Sequence, residues 1–324
     1  MIRRRQILAV SGACAGMLVG GMGYAQSYPQ QAIKVVVPWP PGGNADVTIR
    51  PILDRMSQIL GQAIVVENKA GATGNVGSAI AARAKPDGYN LLQLSSSTIL
   101  NSALTQDKSY DLIQDFTPIG LAASTPMVLE VHPSVPAKSL PELIAYAKNN
   151  PGKLSYATAG IGTTAHLITE LLKQKAGIDM VHIPYVGGAH AVTDLLGGHV
   201  HVYFDVLPTA LPPSREGRLR ILGITSGKRS PMIPEIPTFA EMGLPEIEAS
   251  VWVALVATKG TPPAVISLLN DALNRALAEP TVIQRLQIIG ADALPGTPEK
   301  LGQLMRSDTD KWREVVRRAN IKAQ

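Results

Sequence analysis

The sequence predicts an α/β protein of two domains that share a ligand cleft. Three observations carry this. Short apolar, β-branched runs alternate with segments of helical periodicity almost from end to end, the pattern of parallel strands with helices on both faces. Four glycine-rich loops each join the end of a strand to the start of a helix. At 324 residues the chain is longer than one core normally organises, and ligands in open α/β sheets sit outside the carboxyl ends of the strands.

The first element is a leader. Three arginines precede an uncharged stretch from Ile7 to Ala25 that ends in the small residues of Gly23-Tyr24-Ala25. It reads as a secretory signal over residues 1–25, cut after Ala25, in preference to a membrane anchor or to a lipoprotein signal before Cys14, where Ser11 stands in place of Leu or Val. Arg4-Arg5 leaves the twin-arginine and general export routes both open. Removing the leader takes three of the 30 basic residues and none of the 25 acidic ones, leaving 27 against 25, a formal net charge of +2. That is too little to argue for nucleic acid. The single cysteine, Cys14, leaves with the leader, so the exported chain relies on burial rather than disulfides. No later apolar run reaches spanning length, and the mature protein is expected to be soluble.

Strands are expected at Ile33–Val37, Ile64–Glu67, Tyr89–Leu94, Ile119–Ala123, Met127–Val131, Leu154–Thr158, Met180–Ile183, Val200–Phe204, Leu219–Thr225 and Val251–Val256. Helices are expected at Val47–Leu60, Val76–Ala84, Leu140–Asn149, Thr164–Ala176, Ala189–Leu196, Pro263–Ala278, Thr281–Ile289 and Pro298–Ala319. Pro51 conflicts with the first helix, because it lacks the N–H that the helix ladder needs. The consecutive runs Pro118–Ala123 and Pro126–Val131 look like a crossing from one sheet to another, with Ser250–Ala257 as the return. The expected division is a discontinuous first domain, 26–125 and 253–324, around a continuous second domain, 126–252. The basic helix face of Lys311–Lys322 reads as solvated.

The loops carry the chemistry. In VVVPWPPGGNAD a strand stops at a Pro-Pro-Gly-Gly corner, and Asn44 and Asp46 offer caps for the next helix. Such a junction makes an anion site from free N–H groups and the positive end of the helix dipole. It has no lysine where a phosphate-binding loop places one, which points to a smaller anion, such as a carboxylate, held by neutral groups. Ala70–Gly77, Thr158–His166 and Pro184–His190 repeat the logic. Gly160-Ile161-Gly162-Thr163-Thr164-Ala165 also fits a dinucleotide fingerprint, with Asp179 the nearest candidate for the ribose acid. Export and the mid-chain position argue against it, and no cofactor is expected. His199 and His201 share a strand face, but no third ligand has metal-site spacing. There is no GxSxG elbow. Ser95-Ser96-Ser97-Thr98 offers hydroxyl donors at a strand end, Asp205 a carboxylate at another, and His166 sits at a helix start beside the third loop.

Taken in order, these segments resemble the Bug-type substrate-binding proteins of tripartite tricarboxylate transporters. VVVPWPPGGNADVTIR is similar to the family's first strand, loop and helix, and VVENKAGATGNVG with ARAKPDGYNLL to its second and third units. PGKLSYATAGIGTTAHL, MVHIPYVGGAHAVTDLLGGHV, YFDVLPTALP and GITSGKRSP span the second domain. GTPPAVISLLNDALNRAL, TPEKL and KWREVVRRANI follow near the end.

The resemblance implies a type II periplasmic binding protein fold, with two α/β domains closing on a small organic acid. It implies delivery of that acid to a permease with one large and one small membrane subunit, by a monomer that does no chemistry. Backbone amides and ordered water would grip the carboxylate. The matching contact regions hold Trp39, Gly42, Gly43, Asp46 and Ser97 on one side, and Thr158, Gly160, Thr163, His166 and Asp205 on the other. Asn44-Ala45 replaces a usual Ser-Thr, Val206 a frequent Asn and Val186 a frequent Lys, which suggests a ligand less polar than citrate. The rival functions are a receptor that presents its ligand to a membrane sensor kinase, and a periplasmic enzyme acting on organic acids, for which no nucleophile or metal set is visible.

Overall fold

The computed structural model describes residues 28–104, 109–185 and 187–319; the leader and Val186 lie outside the described residues. The chain begins β1 (Ile33–Val37), α1 (Asn44–Leu60), β2 (Ile64–Asn68), α2 (Asn75–Ala82), β3 (Asn90–Ser95), α3 (Ser96–Leu104) and β4 (Phe116–Val131). It continues through α4 (Leu140–Asn149), β5 (Ser155–Thr158), α5 (Thr164–Ala176), β6 (Val181–Pro184), α6 (Gly188–Leu196), β7 (Val202–Val206), α7 (Leu207–Arg215) and β8 (Arg220–Ile224). It ends with β9 (Ser250–Thr258), α8 (Pro263–Leu277), α9 (Pro280–Ile288), β10 (Asp292–Ala293) and α10 (Pro298–Ala319).

The strands join in the order β2-β1-β3-β9-β4-β7-β5-β6, with β8 and β10 also paired to β4. Within this sheet β1 is parallel to β2 and β3, and β5 is parallel to β6 and β7. The antiparallel pairs β3–β9, β9–β4 and β4–β7 join the two parallel sections. Helices cover both faces of each section. Ile49, Ile52, Leu53 and Met56 of α1 pack with α8 residues on one face of the first section, and Leu301 and Met305 of α10 pack on the other. Leu143, Leu167, Leu171 and Leu172 belong to the largest core, under the second section.

Two expected strands turn out to be one. β4 pairs with β9 from Phe116 to Pro126, then with β7 and β8 from Met127 to Val131. Pro126 is tolerated because it falls where the partner changes, so its missing N–H leaves no gap in the ladder. Two helices were not expected. α3 begins at Ser96, where the hydroxyl run reads as a strand end. α7 carries Pro208 in its first turn, where proline is accepted, and Pro212 and Pro213 further on. α1 starts at Asn44, three residues early, and runs through Pro51. An interior proline costs about 3 kcal/mol. Burial of Ile49, Ile52, Leu53 and Met56, each at most 1% exposed, contributes roughly 1.5–3 kcal/mol per side chain and outweighs it.

α10 belongs to both sections. Leu301 and Met305 enter the first section's core, whereas Trp312 and Val315, further along the helix, enter the second's. Between them the Asp308 carboxylate accepts the Trp252 indole N–H at 2.9 Å.

Candidate functional site

The β1–α1 loop is built on one left-handed glycine. Gly42 has φ +76°, and its N–H donates to Asp46 Oδ2 at 2.9 Å. Gly43, not Asn44 or Asp46, is the residue before the helix, and no side chain caps the turn. The first N–H groups of α1 are therefore open at the helix's positive end. Asp46 faces inward and is 2% exposed. Its Oδ2 also accepts from Arg50 Nε at 2.9 Å, and its Oδ1 from Arg50 at 2.8 Å and Asn68 Nδ2 at 2.9 Å. Burial alone would raise this carboxyl, but the donors from Arg50, Asn68 and Gly42 overcome it and hold it at about 2. Asp46 is thus a brace inside the loop, with its charge matched by Arg50. Asn68 Nδ2 also reaches the Trp39 carbonyl at 3.0 Å, tying both ends of the loop to β2.

The other first-section loops meet this one at Gly74, at φ +93°. A Cβ there would sit 3.4 Å from the Trp39 ring and 3.6 Å from the Thr98 hydroxyl. A Cβ on Gly77 would lie 2.8 Å from both Pro38 and the Lys69 carbonyl, so α2 can approach only through glycine. Trp39 Nε1 is buried without a partner. Ser97 is half-buried in the first turn of α3, beside Thr98, whose hydroxyl lies 3.1 Å from that of Ser95.

The β5–α5 loop repeats the device with different wiring. Gly160 (φ +130°) and Gly162 (φ +77°) make the corner. Thr163 caps α5: its hydroxyl accepts from His166 N–H and donates to the Gly160 carbonyl at 2.8 Å. Gly162 N–H donates to His166 Nδ1 at 3.1 Å, which makes Nδ1 the bare nitrogen of that ring. The Thr158 hydroxyl lies 2.7 Å from His182 Nε2 and accepts from Gly160 N–H. His182 stacks between His166 and Tyr156, at 4.2 and 4.8 Å between ring centres. The Tyr156 hydroxyl donates to Glu170 at 2.5 Å, and Lys173 bonds the same oxygen. Burial lowers the pKa of His166, and burial with the neighbouring His166 lowers His182 to about 4. Both rings are uncharged at neutral pH.

Asp205 ends β7 at the same edge. Its Oδ1 accepts from Val206 N–H at 2.8 Å and its Oδ2 from the Thr209 hydroxyl at 2.5 Å. No cation bonds it among the described residues, and burial raises it to about 6. Glu130, on the neighbouring strand, is completely buried with both oxygens unpartnered, and desolvation, then the nearby Asp205, lifts it to about 9. α6 opens at Gly187, again with no side-chain cap.

The ten sequence-predicted residues fall into two groups. Trp39, Gly42, Gly43, Asp46 and Ser97 lie on the loops at the carboxyl edge of the first section. Thr158, Gly160, Thr163, His166 and Asp205 lie at that edge of the second. Among the described residues no hydrogen bond links the two groups. Arg50, Asn68, Glu130 and His182 were not expected. An Asp-x-x-x-Arg spacing at the start of α1 is a sequence signal for the first; the others depend on partners brought together by folding. A cavity of about 1380 Å³ lies between α10, the β4–β9 crossing and residues 225–228 and 245–250; none of the ten lines it, but Ser96 and Thr164, next to Ser97 and Thr163, do. Of its charged groups, Asp308 accepts from Trp252 and Lys311 donates to the Glu248 carbonyl, and its unpartnered buried hydroxyls are Ser96 and Thr164, the first residues of α3 and α5. No group of three or more metal-binding side chains converges among the described residues.

Residues 48–321 match the family model described as the tripartite tricarboxylate transporter family receptor. The periplasmic binding protein BugD has 34% identity and a TM-score of 0.76, covering 92% of this chain and all of its own. A structure from R. palustris with adipate has 33% identity and a TM-score of 0.79, covering 91% of this chain and 99% of its own. MatC from Rhodopseudomonas palustris with bound malate has 33% identity and a TM-score of 0.75, covering 89% and 100%.

Proposed function

The chain belongs to the tripartite tricarboxylate transporter receptor family, and from that premise we propose that it captures a small organic acid in the periplasm and hands it, unchanged, to a permease of one large and one small membrane subunit. Residues 1–25 direct export. Residues 26–125 with 253–324 form one lobe and 126–252 the other, and they close on the ligand as a monomer. Malate and adipate, held by relatives, mark the ligand class as carboxylates.

One observation carries the reading. Each section ends parallel strands in glycine corners that start helices, and one helix in each, α1 and α6, opens without a side-chain cap. On the first side, the loop's own acid, Asp46, is already matched by Arg50, so it sets no net charge against an incoming carboxylate. An N–H bond to a charged acceptor contributes about 1.5–3 kcal/mol, and micromolar affinity needs about 8 kcal/mol net. Three or four such bonds total about 4.5–12 kcal/mol, so after association costs only the strongest set, drawn from both lobes, approaches that range. One lobe alone does not, which makes closure part of binding.

Calorimetric titration with malate, adipate and shorter mono- and dicarboxylates tests the reading. At least one should bind with a dissociation constant in the micromolar range or below and be recovered intact. Gly43→Val, whose Cβ would stand 3.3 Å from the Pro40 carbonyl and cover the open turn, should weaken that binding at least tenfold while unfolding stays cooperative. Unchanged affinity would reject the loop as the site, and turnover of the acid would make the protein an enzyme.

A further inference from the structure

Resting on the carboxylate reading above, we propose that Asp205 takes up a proton from solvent as an anionic ligand is captured, and then holds that ligand as a neutral acid donating a hydrogen bond. The proton returns to solvent on release.

Strand register places Asp205 at the site. β5 runs parallel to β7 with Ala157 level with Tyr203, so Asp205 is level with Ala159, the first residue of the loop that ends in Thr163 and His166. β7 runs antiparallel to β4, with Asp205 opposite Val128 and Tyr203 opposite Glu130. Cross-strand partners share a face, so Glu130 lies on the same face as Asp205, two residues along. Asp205 is 6% exposed and Glu130 0%. The first accepts two neutral hydrogen bonds and the second none.

The charged groups around this corner leave the pair uncompensated. Arg220 on β8 donates to the Ala137 carbonyl. Arg215 ends α7. Lys173 on α5 is bound to Glu170, which also accepts from Tyr156 of β5. On α6, Asp194 accepts from the Tyr185 hydroxyl, and His190 is exposed. Burial keeps the proton on Tyr203 and on Glu130, the latter to about pH 9, and it keeps His166 and His182 neutral. Asp205, raised by burial to about 6, has its midpoint next to neutral pH. It starts largely ionised. A carboxylate brought beside it adds a second negative charge in a dry site, which favours the protonated form.

Linkage fixes the sign. If the bound state holds more protons, affinity rises as pH falls, by at most tenfold per pH unit for one group. Titrating the full mature chain at pH 7 with malate and with adipate, in buffers of different ionisation enthalpy, should show uptake of a substantial fraction of one proton per ligand. Affinity should strengthen severalfold from pH 8 to pH 6.5. Asp205→Asn, which donates without needing a proton, should bind severalfold more tightly than the native chain at pH 8 and show no uptake. Native binding without uptake overturns the proposal, as does uptake that persists in D205N or binding lost in a D205N that melts cooperatively. If D205N does not fold, Thr209→Val decides: losing the hydroxyl that stabilises the anion should move the pH profile upward, and an unmoved profile overturns the proposal. If no carboxylate binds the native chain at any pH, the functional reading itself fails and this one with it.

Discussion

The β1–α1 loop and the β5–α5/β7 corner use one backbone device and opposite electrostatics. Both end a parallel strand in left-handed glycine and start a helix. In the first, the acid is saturated: Asp46 takes bonds from Gly42, Arg50 and Asn68 and is held at about 2. In the second, burial works against charge: Glu130 is held at about 9, Asp205 at about 6 and His182 at about 4. The difference teaches that a paired charge fixes a loop's shape across the working pH range, whereas unpaired acids at the other lobe leave that lobe open to titration.

The largest effect is expected from removing the brace. Asp46→Ala leaves Arg50 and Asn68 without their shared acceptor and should cost about 3 kcal/mol of stability, discounted from a fully buried pair because Arg50 is partly exposed. Urea unfolding measures it, and ligand binding should be lost with it. The native contribution of Asp46 should be present above pH 4 and fall away toward pH 2, because a lowered carboxyl binds fewer protons folded than unfolded. A variant as stable as the native chain would show that the saturated acid holds nothing.

The middle effect has the opposite sign. Glu130→Met removes a buried acid with no partner and should stabilise the fold by about 2 kcal/mol. Here the native group binds more protons folded than unfolded between its ordinary 4.5 and about 9, so its penalty grows as pH rises. The gain of the variant should be larger at pH 8 than at pH 5. A gain independent of pH would mean that Glu130 keeps its charge.

The smallest is His182→Phe, which keeps the stack on Tyr156 and loses the bond to Thr158, for about 1 kcal/mol at pH 7.5. Because the folded ring titrates near 4 and an unfolded one near 6.5, native stability should fall as pH drops through that window. The variant should be spared that part of the fall, so thermal melts of the two should meet at about pH 6 and the variant should be the more stable below it.

The strands and the glycine corners could be read in the sequence because their causes are local. β-branched runs specify Ile33–Val37 and Val202–Val206, and only glycine tolerates the backbone at Gly42 or Gly162. The helices α3 and α7 could not be read that way. Ser96-Ser97-Thr98 has poor helix propensity, and α7 contains three prolines; tertiary packing of Ile99, Leu207 and Leu211 overrides both. The single strand β4 was hidden by Pro126, harmless only because the partner changes there. At the site, the loops were expected but their wiring was not. Asn68 reaches Asp46 across 22 residues and His182 reaches Thr158 across 24, separations at which no periodicity survives.

The helix that enters both cores sets the order in which this chain can become compact. Leu301, Met305, Trp312 and Val315 follow every described strand in the chain, yet they fill both sections. A chain that has reached residue 297 has every described strand and still lacks the cover for Trp252 and for the underside of α5. Neither core is complete before α10 docks, so the two sections become compact together rather than one after the other.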